Sequence, residues 1–75
     1  MAVYIAAQHG EAARDCAAAL GLEPKSWMYV WDDKILWGAK DGARVILCNG
    51  WRSHTHADAI ASAIRQRGLP NVSVT

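Results

Sequence analysis

Two loops of this chain contain residues that could bind an anion. The first is Gln8-His9-Gly10, and the second is the segment 49–54, which reads NGWRSH. Glycine lets backbone N–H groups approach an anion closely, and arginine forms paired hydrogen bonds to a phosphate or a carboxylate. The candidate ligands for an anion or a nucleotide are His9, Gly10, Gly50, Arg52 and His54. Because neither G-x-G-x-x-G nor G-x-x-x-x-G-K-S/T is present, the alternative that these glycines only turn the chain stays open.

The same loops contain residues that could bind zinc or act as a nucleophile. His54 and His56 are spaced H-x-H, and His9 or Cys48 could add a further zinc ligand. No complete ligand motif is present, so we predict no metal and no other cofactor. Cys48 precedes a loop, as many nucleophiles do, but a phosphatase-like loop needs an arginine where His54 stands. Ser53 lacks a G-x-S-x-G elbow, and we predict no catalytic residue.

The tryptophans form a second group of candidate functional residues. The chain has 4 tryptophans and no phenylalanine. They are Trp27, Trp31, Trp37 and Trp51, and we treat them as candidate partner-binding residues. One interpretation is that they fill core volume that alanine-rich helices leave open. The other is an exposed contact surface, because tryptophan with arginine nearby is typical of interface hot spots.

The composition of the chain limits the classes of function that we expect. The 75 residues form one domain, 1–75, and a hydrophobic fraction of 52% argues against disorder. A formal charge of +1 provides no basic field for nucleic acid, so a nucleic-acid partner is not expected. No stretch approaches the ~20 apolar residues of a membrane span, and no basic segment opens a signal peptide. We therefore predict a cytoplasmic protein in which Cys16 and Cys48 are reduced.

Two strand–loop–helix units position the loops. Residues 3–7 and 45–48 are continuous apolar runs, which predict strands over 3–7 and 44–48, the first of them buried on both faces. The spacing of apolar residues predicts a helix over 11–20 after the first strand. The core-facing residues of that helix are Ala12, Ala13, Cys16, Ala17 and Leu20.

A second helix follows the second loop. Thr55 and Asp58 approximate a capping box, and Gly68 predicts the end of the helix just after Arg67. The apolar stripe of this helix is Ala57, Ile60, Ala61 and Ile64.

The rest of the chain supplies two further strands. The segment 27–31 is predicted to be a strand with Trp27, Tyr29 and Trp31 on one face, followed by a helical turn that opens at Asp32. A returning strand, which would make a hairpin, is the alternative to that turn. The segment 71–75 is predicted to be an edge strand.

The fold class is therefore α/β. The order β-α-β-β-α-β predicts a mainly parallel four-stranded sheet with two main helices, a miniature of the Rossmann-like or flavodoxin-like type. Ligands of such sheets bind beyond the carboxyl ends of the strands, which is where both loops fall.

The middle of the chain also carries a series of short motifs. The sequence reads W-x-Y-V at 27–30, L-x-G at 36–38, G-W-x-S at 50–53 and R-x-R-G at 65–68. In this order the motifs resemble small orphan proteins of actinobacteria and their bacteriophages. Where those proteins often read L-R-G-L-R, this chain reads LWGAK, which weakens a shared role with nucleic acid. The resemblance implies a genomic setting and no activity.

These observations favour a non-enzymatic interaction module. The hypothesis is a phage accessory protein that binds a host protein or a second copy of itself through a tryptophan-rich surface, in the host cytoplasm if it is phage-encoded. The alternative is a minimal nucleotide- or phosphate-binding domain that uses the strand-end loops.

Overall fold

A computed structural model describes residues 2–40 and 42–74. The strands are β1 (Val3–Ala6), β2 (Met28–Tyr29), β3 (Arg44–Leu47) and β4 (Asn71–Ser73). The helices are α1 (Gly10–Ala19), α2 (Lys34–Trp37) and α3 (Ala57–Arg67), and a 3₁₀ turn covers Trp51–Ser53. This order confirms the predicted α/β class.

The four strands form one all-parallel sheet in the order β2-β1-β3-β4. Tyr4 of β1 lies between Met28 of β2 and Val45 of β3. From β1 the chain first goes to β2 on one side and then to β3 on the other, so the strand order reverses between β1 and β3. Open parallel sheets bind ligands at such a reversal, beyond the carboxyl ends of the two strands.

The helices cover both faces of the sheet. Alternate residues of a strand point to opposite faces, so Ile5 packs with α1 whereas Ala6 packs with α2 and α3. The buried residues on the α1 face are Ile5, Ala7, Ala13, Ala17 and Cys48. Those on the opposite face are Ala6, Val30, Leu36, Ala39, Ala43, Val45, Leu47, Ile60, Ala63, Ile64 and Leu69.

Helix α1 begins and ends one residue before its predicted bounds. His9 stands immediately before it and accepts a hydrogen bond at Nδ1 from the Ala12 amide, at 3.1 Å. Leu20 was expected in the core, but it follows the last helical residue and is 44% exposed. The chain reverses at Gly21 (φ 74°), and Leu22 packs against the α1-face core instead.

The predicted strand at 27–31 is shorter than expected. Only Met28 and Tyr29 pair with β1. Trp27 and Tyr29 both pack against the α1-face core, as expected, but the strand ends at Tyr29 and the prediction that Trp31 continues it on the same face is wrong. The predicted helical turn is confirmed as α2, and Asp32 Oδ1 accepts the Lys34 amide at 2.7 Å.

The predicted capping box of α3 is wrong. Thr55 is exposed and precedes His56, the residue before the helix, so it stands one position too early to cap. The chain enters α3 through a turn in which His54 Nδ1 accepts the His56 amide at 2.9 Å. At the other end the prediction holds, because Gly68 takes a left-handed φ of 62° directly after Arg67.

The predicted apolar stripe of α3 is partly confirmed. Ile60 and Ile64 are buried as expected, but the third buried residue is Ala63. Ala57 and Ala61 are only half-buried, because the helix presents the Ala63 side to the sheet.

Strand β4 confirms the expected edge strand. It pairs with β3 on one side, and its three residues are exposed. The predicted strand extended to Thr75, which lies outside the described residues.

A disulfide joins α1 to the end of β3. Cys16 and Cys48 are bonded, with Cα atoms 6.5 Å apart. The expectation that both are reduced is therefore wrong for this structure. Spacing along the chain does not predict this bond, since the two cysteines are separated by 32 residues and meet because α1 packs on the face of the sheet where Cys48 lies. In the described part of the chain no helix is long and apolar enough to cross a membrane.

Candidate functional site

The two strand-end loops meet at the reversal of strand order. They follow β1 and β3, which are neighbours in the sheet. Gly50 has a φ of 86°, which glycine adopts without strain, and a Cβ at this position would lie 3.8 Å from Gln8 Oε1. The expectation that the loops lie side by side is thus confirmed.

His9 and Gly10 lie at the start of α1. The Nδ1 atom of His9 already accepts the Ala12 amide, so this atom is not available to a ligand. Glu11 stands in the first turn of the helix, where its carboxylate competes with an incoming anion for the N-terminal dipole. The Nε2 edge of His9 is the part of the ring that such a ligand could use.

His54 lies beneath the second loop and is 8% exposed. Its Nδ1 atom accepts the His56 amide, and its ring centroid is 5.9 Å from that of Tyr29 and 5.8 Å from that of His56. These contacts give His54 a structural role in the turn before α3.

Tyr29 belongs to this edge of the sheet and was missed in the sequence. It ends β2, and a Cβ at Gly10 would lie 3.9 Å from its Cδ2 atom. Burial raises the pKa of the Tyr29 phenol above 10.0. The sequence held no signal for this position, because the predicted strand ran on to Trp31 and put Tyr29 in its middle.

Arg52 is directed away from the meeting point of the loops. Its guanidinium lies over the Trp51 ring, 5.0 Å from the centroid. Both side chains line a cavity against α3. The structure therefore brings Gly10, Gly50 and His54 to one edge, while Arg52 belongs to a different part of the surface.

The histidines do not complete a metal site. No cluster of three or more His, Cys, Asp or Glu residues suited to a metal ion is found in residues 2–40 and 42–74. Cys48 is bonded to Cys16 and is not a free thiolate.

The tryptophans divide into two pairs. Trp27 and Trp51 are half-buried and pack against the two core clusters, on opposite faces of the sheet. Trp31 is 57% exposed and Trp37 is 43% exposed. The interpretation as core volume therefore fits the first pair, whereas the rings of the second pair are exposed to solvent.

Trp37 is held in place although it is exposed. Its indole Nε1 donates to Asp33 Oδ2 at 3.1 Å. Asp33 precedes α2, so the bond spans one turn and fixes the ring against its own helix. A ring held in this way loses little conformational freedom when a partner binds.

Comparisons with protein-family models, curated proteins and solved structures find no match to this chain.

Proposed function

We propose that this chain is a non-enzymatic interaction module that binds a protein through the tryptophan surface, defined by Met28, Trp31 and Trp37. The observation that carries the proposal is the exposure of large apolar side chains to solvent. Five large apolar side chains are exposed in the described residues, and three of them belong to this short segment. Tryptophan and methionine are enriched at protein interfaces, and few polar contacts are needed for such a surface to bind.

The backbone supports this assignment. Strand β2 is the edge strand next to β1, and it has only two paired residues. An edge strand presents unpaired N–H and C=O groups that a partner segment can meet. Main-chain bonds to this edge and contacts with the exposed indole rings would together provide affinity and specificity.

The partner is a host protein or a second copy of the chain. A bacteriophage setting rests on the resemblance of the segment 27–68, and the cytoplasmic location expected from the sequence stays a prediction. The Cys16–Cys48 bond argues against that location, because disulfides rarely persist in the cytosol.

The test compares three single substitutions. Trp31→Ala and Trp37→Ala should each weaken binding to the identified partner, or self-association measured by sedimentation, by about tenfold or more. Val72→Ala is the matched control, because Val72 is 55% exposed on the opposite edge strand. Circular dichroism and denaturant unfolding should show that all three variants fold with nearly unchanged stability.

Two results would refute the proposal. Unchanged binding in the double variant of Trp31 and Trp37 would show that another surface is used. Loss of the fold in either single variant would show that the ring supports the structure.

A second candidate function rests on the meeting of the two strand-end loops, where a Cβ at Gly50 would lie 3.8 Å from Gln8 Oε1. It is a phosphate or nucleotide site at the strand-end loops, where strand order reverses. Titration with phosphate or nucleotide should then shift the amide resonances of residues 8–10 and 49–50. A response confined to other residues would exclude this site.

A further inference from the structure

A groove opens between α3 and the edge strand β4, on the face away from α1. Its floor includes Leu47 and Ile64, both of which are buried. Its rim includes Trp51, Arg52, Arg65 and Asn71, and its volume is about 440 Å³. This volume lies within the range of small-molecule sites, about 300–1,000 Å³. We call this feature the α3 groove.

The charge of the α3 groove is entirely positive. Of the residues that line it, Arg52 and Arg65 are the charged ones, and no carboxylate is among them. Within the described part of the chain neither guanidinium forms an ion pair, and the ring of Trp51 is the group that Arg52 contacts. Both arginines are exposed, so their hydrogen-bond donors are available to a ligand.

Trp51 supplies a flat apolar wall. It is half-buried, packs against the core beneath α3, and follows Gly50 in the 3₁₀ turn. The guanidinium of Arg52 lies over its ring, an arrangement that keeps the cation at the mouth of the groove. A planar ligand that stacks on the indole would take the place of this guanidinium, which could then meet the anionic group beside Arg65.

Asn71 adds one polar group to the rim. Its Nδ2 atom donates to the Leu69 carbonyl at 3.0 Å, and this bond orients the amide. The Oδ1 atom is the acceptor that the same amide offers to an N–H group of a ligand.

We infer that the α3 groove binds a small planar aromatic anion, a ring bearing a phosphate or a carboxylate. The apolar floor and the Trp51 ring bind the aromatic part, and Arg52 with Arg65 binds the anionic group. The inference goes beyond the proposed function and shares no residue with the tryptophan surface, so either can fail without the other.

The test is an amide NMR titration of the full chain. The probes are adenosine monophosphate and indole-3-acetate, with adenosine, indole-3-acetamide and inorganic phosphate as their matched controls. At least one aromatic anion should shift the resonances of Trp51, Arg52, Arg65 and Asn71, and should bind at least about tenfold more tightly than its neutral counterpart and than phosphate alone. Comparison of the two anions distinguishes a phosphate ligand from a carboxylate ligand.

Substitutions identify the anion-binding groups. Arg52→Ala and Arg65→Ala should each weaken binding of the active probe by about tenfold. Arg44→Ala is the matched control, because Arg44 is an exposed arginine at the opposite end of β3 from Leu47 and lies outside the groove. All three side chains are exposed, so the variants should remain folded.

The inference is overturned if no aromatic anion binds, if the neutral counterparts bind equally well, or if inorganic phosphate alone accounts for the affinity. Unchanged affinity in both Arg52→Ala and Arg65→Ala would also overturn it. Shifts that occur only with an acidic peptide would reject the small ligand and assign the groove to a protein partner.

Discussion

Two histidines that were candidate ligands instead accept hydrogen bonds from backbone amides through their side chains. His9 and His54 each accept an amide hydrogen at Nδ1, at the start of α1 and in the turn before α3. Each ring therefore fixes the loop that leads into a helix. Residue type alone cannot distinguish this role from ligand binding, since the same nitrogen can serve either.

Tyr29 provides a prediction at the residue scale. Burial raises the pKa of its phenol above 10.0 in the folded protein, so the folded state holds this proton more tightly than the unfolded state. The free energy of unfolding should therefore be unaffected by this group well below pH ~10, and should fall as the pH rises from there through the raised pKa. Denaturant unfolding across the alkaline range measures the loss.

Tyr29→Phe is the control variant for that titration. It removes the ionising group and keeps the ring against Gly10 and His54, so the alkaline loss attributable to Tyr29 should disappear. An identical alkaline profile in the two proteins would show that Tyr29 ionises equally easily in both states.

At the scale of elements, the local pattern predicted the elements whose own residues form a continuous apolar run or a helical repeat. Strands β1 and β3 and helices α1 and α3 were expected from apolar runs and helical spacing. The failures lie where another element decides the outcome. β2 pairs with β1 only at Met28 and Tyr29, with one further hydrogen bond from the Val30 amide to the Ile5 carbonyl, and α3 is entered through a turn that His54 stabilises. Neither effect is visible in the neighbouring sequence.

Arg67 joins two of these elements and provides the prediction at this scale. From the end of α3 its guanidinium donates to the carbonyls of Leu36, at 2.8 Å, and of Ala39, at the carboxyl end of α2. A short helix gains little stability from its own hydrogen bonds, so α2 depends on this support. Arg67→Ala should lower the free energy of unfolding by about 2 kcal/mol, measured by denaturant unfolding.

The matched control for Arg67 is on the same helix. Arg65→Ala removes an exposed arginine that makes no such bonds and should change stability by less than about 0.5 kcal/mol. Arg67→Lys keeps the charge but has one nitrogen in place of the guanidinium, so it should recover only part of the loss. If the Arg67→Ala variant and the parent chain have the same free energy of unfolding, α2 is stable without this contact.

At the scale of the whole molecule, the sequence predicted which edge of the sheet holds the candidate site better than it predicted which residues lie there. Parallel strands place both loops at one edge, and this was predictable from the strand–loop–helix pattern. Two positions instead follow from the strand order β2-β1-β3-β4. Arg52 is directed towards α3, and Tyr29 lies beside His54. That order depends on pairing between distant segments, which local spacing does not encode.

The disulfide provides the last prediction, because it constrains the whole chain. Cys16 and Cys48 close a loop of 32 residues between α1 and the end of β3. In the chain-entropy model a loop of this size stabilises the folded state by about 3–4 kcal/mol. This is a large contribution for a 75-residue chain, which buries a smaller share of its surface on folding than a larger domain does. Reduction should therefore lower the free energy of unfolding by about this amount.

The measurement is denaturant unfolding of the purified protein with and without a reductant, with free thiols counted in each state. The double variant Cys16→Ala, Cys48→Ala is the control, because a reductant should leave its stability unchanged. Its free energy of unfolding should match that of the reduced parent, apart from the small packing contribution of the two thiols in the α1-face core. Two free thiols in the protein without reductant would contradict the bond. A stability that does not respond to reduction would show that packing of α1 against β1 and β3 alone holds this face together.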